Sequence, residues 1–302
     1  VPVPELSGYS TVLKNVGKLR NRGIEITLGT NHTFGKFSWS NRFNYSMNRN
    51  KVLDLGGVDE IITRGETMDF ITKVGEPIGN YYAYITDGVF MNQAEIDIAN
   101  DPNDDRIAKV NNARPGDFKF VDVKQDGVIN SEDRTIVGNY APDFTYGYST
   151  EFRYRWFDLS VSLQGVYGNE IANINRRYLN NMEGGRGQRD GLNRWRSEEN
   201  PGSGMVVRAN RSVTGMNSQM STWHIEDGSY LRVRNITFGV TLPKTWTDRA
   251  GLSNARVYFS AQNPFTFTDY SGYNPEVDMK GNPLTPGIDY GTYPLAKSAV
   301  IG

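Results

Sequence analysis

The strongest constraint in this chain is alternation. In FDLSVSLQGVY, residues 157–167, Phe157, Leu159, Val161, Leu163 and Tyr167 share one parity, and Asp158, Ser160, Ser162 and Gln164 share the other. Successive side chains of a strand point to opposite faces, so this pattern predicts a strand with one apolar and one polar face. The preceding FTYGYSTEFRYRW places Phe144, Tyr146, Tyr148, Phe152, Tyr154 and Trp156 against Glu151, Arg153 and Arg155. The two segments meet at a short turn near Arg155 and Trp156, which makes a hairpin with long arms. RGIEITLGTNHTF and FSWSNRFNYSMNRN form a second hairpin about a Gly35-Lys36 turn. There Ile24, Ile26, Leu28, Phe37, Trp39, Phe43, Tyr45 and Met47 oppose Glu25, Thr27, Arg42, Asn44 and Ser46. YLRVRNITFGVTLP and ARVYFSAQNPFTF form a third pair, joined through a short helical turn in KTWTDRAGLSN, and AKSAVIG is a last partial strand.

The connections are unequal. One end of each hairpin is short. The other end leads into stretches of roughly 53–142, 169–222 and 268–295, rich in Gly, Asn, Asp and Pro. Loops of that length are uncommon in compact domains and are usually functional. Two architectures suit alternating strands. A soluble sandwich buries the apolar face, and a membrane barrel turns it to lipid. Arms of ten residues or more, aromatic residues toward the arm ends, and short turns opposite long loops favour the barrel.

Composition bounds the chemistry. A chain of 302 residues with 32 Gly and 17 Tyr suits a strand-rich, turn-rich protein. The absence of Cys excludes disulfides and thiolate metal sites, and a net charge of −1 offers no electrostatic case for nucleic acid. No run of 18 apolar residues reads as a transmembrane helix. The opening VPVPELSGYS has neither an initiator Met nor a basic leader, so the chain reads as joined partway along a longer one. The two histidines, His32 and His224, sit in no nucleophile or metal-ligand spacing, so the chain is not expected to be an enzyme.

One short motif carries possible metal chemistry. DVKQDGVINSED, residues 122–133, approaches the calcium-loop pattern D-x-[DN]-x-[DN]-G-x5-E. Asp122, Asp126 and Asp133 would offer carboxylates, Val128 its carbonyl, and Asn130 a direct or water-borne contact. Lys124 stands where an oxygen ligand is expected, and the flanks read as strand and turn rather than helix, which excludes an EF-hand. The alternatives are a structural Ca²⁺ site and an ion-free Asx-and-glycine turn.

Specific phrases now carry a resemblance. NVGKLRNRGIEITL, PGDFKFVDVKQDGVINSEDRTIVGNYAPDFTYG, NRWRSEENPGSG, IEDGSYLRVRNITFGVTLP and GIDYGTYPLAKSAVIG resemble, in order, segments of the SusC/RagA family of TonB-dependent outer-membrane proteins. The resemblance runs from about residue 10 to the C-terminus and departs at Lys124 and Lys297. The chain also stops short of the aromatic terminus that the family leads one to expect.

The resemblance implies the C-terminal portion of a large antiparallel transmembrane β-barrel of about 22 strands, in the bacterial outer membrane. It also implies a TonB-driven plug outside this chain, a SusD-like lipoprotein partner, and a glycan or peptide substrate. If the last strand runs toward the periplasm, the three short connections are periplasmic, and 53–142, 169–222 and 268–295 are extracellular. Glu25, Arg42, Glu151, Arg153 and Arg155 are then expected to face the lumen, with mutual pairing as their simplest role. Trp195 and Trp223 are expected to pack loops rather than stack sugars. The rival function is a soluble β-rich carbohydrate-binding module.

Overall fold

The structure, a computed structural model, describes residues 17–180, 182–183, 193–212, 215–277 and 284–302. Its frame is one seven-stranded sheet: β1 (Lys18–Phe34), β2 (Phe37–Asp54), β3 (Phe144–Tyr154), β4 (Phe157–Tyr167), β5 (Tyr230–Thr241), β6 (Arg256–Thr268) and β7 (Ser298–Ile301). Spatial order follows chain order, and every neighbouring pair is antiparallel. The alternating segments form the expected hairpins, and β1 extends further N-terminal than its alternation suggests.

Register converts alternation into faces. Leu28, Phe43, Tyr148, Leu163, Val233 and Phe265 lie side by side across six strands on one face. Asn31, Ser40, Glu151, Ser160, Thr237 and Ser260 lie side by side on the other. The apolar face is uncovered: Leu28 is 60% exposed and Phe265 55%. No second sheet covers it among the described residues, so the soluble sandwich is not the architecture found. Within this face Tyr146 lies over Gly165, where an added Cβ would stand 2.1 Å from the ring.

The short connections behave as expected. Gly35 begins the first turn at φ 62°. The β5–β6 connection is helical over Lys244–Thr247 and closes on Gly251 at φ 72°, a left-handed conformation open to glycine. A bulge on β5 leaves Arg234 out of register, and on β6 the same irregularity takes in Pro264. A bulge tolerates Pro264 because no ladder N–H is required there.

The long connections are not irregular loops. Glu60–Thr63, Asp69–Lys73, Asn80–Ala83 and Thr135–Gly138 form a four-stranded sheet. Glu170–Asn173, Ile225–Asp227 and Ile288–Asp289 form a three-stranded one, and Thr86–Val89 pairs with Phe118–Phe120. The connections share buried clusters. Phe90, Phe118, Phe120 and Ile129 of the first pack with Val207 and Trp223 of the second. Phe70 and Tyr81 of the first pack with Ala172 and Ile174. Among the described residues, every buried apolar side chain lies in these connections except Val52 and Tyr230, at the strand ends that lead into them.

Candidate functional site

The polar face of the sheet carries most of the charged residues that the sequence singled out. It carries Glu25, Arg42, Glu151 and Arg153, which register brings to one face. Arg42 and Glu151 line a groove of about 290 Å³ with Gly29, Ser40, Ser149 and Ser160. Small residues dominate there, so the groove floor admits close approach. Arg153 bonds Glu151 through Nε at 2.7 Å, both partly exposed, a pairing that solvates the wall more than it stabilises it. Arg155 is a correction. It is not on this face but in the β3–β4 turn at φ 54°, with its guanidinium 5.5 Å from the Tyr154 ring centroid. The turn falls at Arg155 and Trp156 as the sequence suggests, and a residue in the turn no longer follows the strand's alternation of faces.

Arg232, which the sequence reading did not single out, anchors the end of this face that leads into the long connections. It is 1% exposed. Its guanidinium bonds Glu276, donates to Asn274 Oδ1 at 2.8 Å and to Thr266 Oγ1 at 3.0 Å. Glu276 also accepts from the Tyr230 hydroxyl at 2.8 Å. The final long connection is thereby drawn onto the polar face of the wall, where a cavity of about 330 Å³ forms between Tyr140, Val166, Asn169, Pro275 and Glu276. The available signal was parity: Arg232 shares a face with Gln164, its register partner.

The 122–133 loop is closed by carboxylates that accept backbone N–H groups. Asp122 accepts from Gln125 at 2.6 Å and Gly127 at 2.7 Å, and Asp126 from Val128 at 3.0 Å. Buried Asp133 accepts from Val123, Lys124 and Asn130 at 3.1, 3.2 and 2.8 Å. Asn130 caps the short 3₁₀ turn Ser131–Asp133 by accepting from Glu132 at 2.8 Å. Burial raises the Asp122 pKa, but the N–H groups of Gly127 and Gln125 outweigh it and hold the carboxyl below its usual range. Gln125 and Gly127 take positive φ, 58° and 81°, which lets the chain fold over the carboxylate. The Asp122, Asp126, Asn130 and Asp133 side chains of the set expected for calcium are therefore engaged inside the loop. Among the described residues, no group of three or more acidic or His side chains is arranged to hold a metal. What the loop does visibly is pin Ile129 in the connection core.

The remaining candidates are structural. Trp223 is 6% exposed in that core, with Arg176 4.4 Å above its ring. Trp195 packs against the same cluster and donates to the Met91 carbonyl at 3.2 Å. His224 is 1% exposed and accepts from the Ser221 amide through Nδ1. Burial, then the neighbouring Arg176 charge, pushes its pKa down to about 3, so it is a neutral packing group. His32 lies on the apolar face beside Trp39, ring centroids 5.5 Å apart.

Comparison with known proteins places this arrangement. No protein-family model matches the sequence. Two proteins of Formosa agariphila named TonB-dependent receptor are 32% and 30% identical to it over the whole chain. SusC of Bacteroides thetaiotaomicron is 27% identical, again over the whole chain. The chain spans about 30% of the length of these relatives. A solved structure of the RagAB peptide transporter superimposes with a TM-score of 0.75 at 21% identity, covering all of this chain and 31% of that one. The relatives are named as receptors rather than enzymes, in a class of outer-membrane proteins. The chain is thus a C-terminal barrel segment of a SusC/RagA-type TonB-dependent receptor.

Proposed function

We propose that this chain forms the C-terminal wall and extracellular cap of a receptor that imports a nutrient, a glycan or a peptide, across the outer membrane with energy delivered through TonB. The single observation that supports this most is the two-faced wall. A sheet that leaves its apolar side uncovered and lines its polar side with Ser, Thr, Asn and paired charges suits a passage through lipid. The three long connections fold into one cored unit on the extracellular side. That unit gives a SusD-like surface lipoprotein a firm platform to close against. TonB would act through parts of the receptor outside this chain.

Affinity purification of the receptor from native outer membrane under mild detergent tests the partnership. A stoichiometric surface lipoprotein is expected. Uptake assays with a strain lacking the receptor test the transport role: growth on one glycan or peptide source should fail and be restored by the intact gene. Unchanged growth on every such source, with no co-purifying lipoprotein, would sink the reading.

A further inference from the structure

The extracellular end of the first hairpin carries a charge arrangement that transport does not explain. Arg22 stands directly opposite Arg49, and Arg20 directly opposite Lys51. Like charges directly opposite across a ladder destabilise the pair. All four side chains are exposed and share the parity of Ile24, Ile26, Met47 and Tyr45, so they lie on the apolar face of the wall. Arg49 has one acidic partner, Asp143 at 2.6 Å. Arg20, Arg22 and Lys51 have no acidic partner among the described residues.

Depth tells what faces them. From Phe34 beside the short turn to Ile24, the β1 side chains on this face span ten residues. That is about 33 Å of strand, or about 25 Å along the membrane normal at about 40° of tilt. An apolar band on a barrel is about 25 Å tall. Arg22 and Arg49 are the next side chains beyond it, and Arg20 and Lys51 lie one step further out. The four cations therefore sit at the level of the outer-leaflet headgroups and point toward lipid.

We propose that these residues bind the phosphate groups of an outer-leaflet glycolipid. Guanidinium forks match phosphate oxygens bidentately, and Lys51 adds a point charge. A bound diphosphorylated headgroup would neutralise the two like-charge pairs that the register enforces. The inference rests on reading the apolar face as lipid-facing.

The test uses the receptor purified in a neutral detergent and titrated with lipid A, with phosphatidylethanolamine and with inorganic phosphate, followed by thermal melting. Lipid A is expected to raise the melting temperature, and the other two to leave it unchanged. The variant Arg20→Gln/Arg22→Gln/Lys51→Gln should bind lipid A about a hundredfold more weakly, at about fivefold per cation. Arg42→Gln, which removes a cation from the opposite face, should match the parent. Equal lipid A binding by the triple variant overturns the proposal, as does equal stabilisation by inorganic phosphate, which would mark a free-anion site. If the triple variant does not fold, lipid A retained through purification by the single variants Arg20→Gln and Arg22→Gln decides: undiminished retention overturns the proposal. A receptor that stays monodisperse without detergent would instead refute the lipid-facing wall itself, an outcome separate from any lipid titration.

Discussion

Phe118 and Phe265 are the same residue type in opposite circumstances. Phe118, in the connections, is 1% exposed and touches Trp223 and Phe120. Phe265, in the wall, is 55% exposed beside Phe267. The connections form a domain in the ordinary sense, with an interior of their own. The wall has none, because a single sheet cannot bury either of its faces. On the proposed reading its apolar side chains find their environment in the bilayer, and its order comes from ladder hydrogen bonds and cross-strand pairs.

That contrast predicts where substitutions will hurt. Phe118→Ala should show the largest effect, about 3–5 kcal/mol, because it opens a cavity in a closed core. Proteolysis of the extracellular connections in intact cells should accelerate, while the heat-modifiable migration of the barrel stays unchanged. Loss of the barrel together with the connections would show that the two regions are one cooperative unit.

The wall responds to charge instead of volume. Val161→Arg, on the apolar face, should cost about 2–4 kcal/mol near mid-bilayer. Ser162→Arg lies at nearly the same depth on the polar face and should be tolerated. Folded-barrel yield in the outer membrane reads both, and equal losses would reverse the assignment of faces.

Inside the connections, removing the clasp should matter less than opening the core. Asp133→Ala leaves three N–H donors without their acceptor and should cost about 1–3 kcal/mol. If those bonds alone close the loop, a calcium chelator should leave the proteolysis pattern of the parent unchanged. A chelator effect as large as that of Asp133→Ala would establish a bound cation.

Acidification acts on the connections and not on the wall. His224 stays neutral in the folded state down to about pH 3, while an unfolded His accepts a proton near 6.5. Its contribution is complete above about pH 6.5 and declines as pH falls toward 3, by at most about 1.4 kcal/mol per pH unit. Connection proteolysis at pH 4.5 relative to pH 7.5 should rise more in the parent than in His224→Gln. The smallest effect belongs to the wall pair. Glu151→Gln removes a half-exposed ion pair with Arg153 and should change barrel stability by no more than about 1 kcal/mol. A larger loss would mean that Glu151 bears on something besides Arg153.

The sequence by itself determined the hairpins and most of their faces. Alternation with a period of two names the faces within each of the first two hairpins, and the Gly35-Lys36 turn fixes register along β1 and β2. Pairing across the long connections, and the parity change at the β5 bulge that completes the row from Leu28 to Phe265, came only with the tertiary structure. The motif at 122–133 was legible as a loop built on Asp and Gly in a β setting. Only tertiary structure decided the rest. The strands of the connections' small sheets run two to five residues, too short to show a period, and contacts that tie the connections together come from far apart in sequence, as Tyr81 bonding the Gly287 carbonyl at 2.9 Å illustrates. Arg155 left the polar face because it sits in the two-residue turn at φ 54°, where strand alternation no longer sets the direction of a side chain. Arg232 became an anchor only when Glu276, 44 residues away, folded back onto it. Periodicity is a local property that a strand displays alone. Burial and ion pairing depend on what arrives from elsewhere in the chain, and no local pattern encodes that arrival.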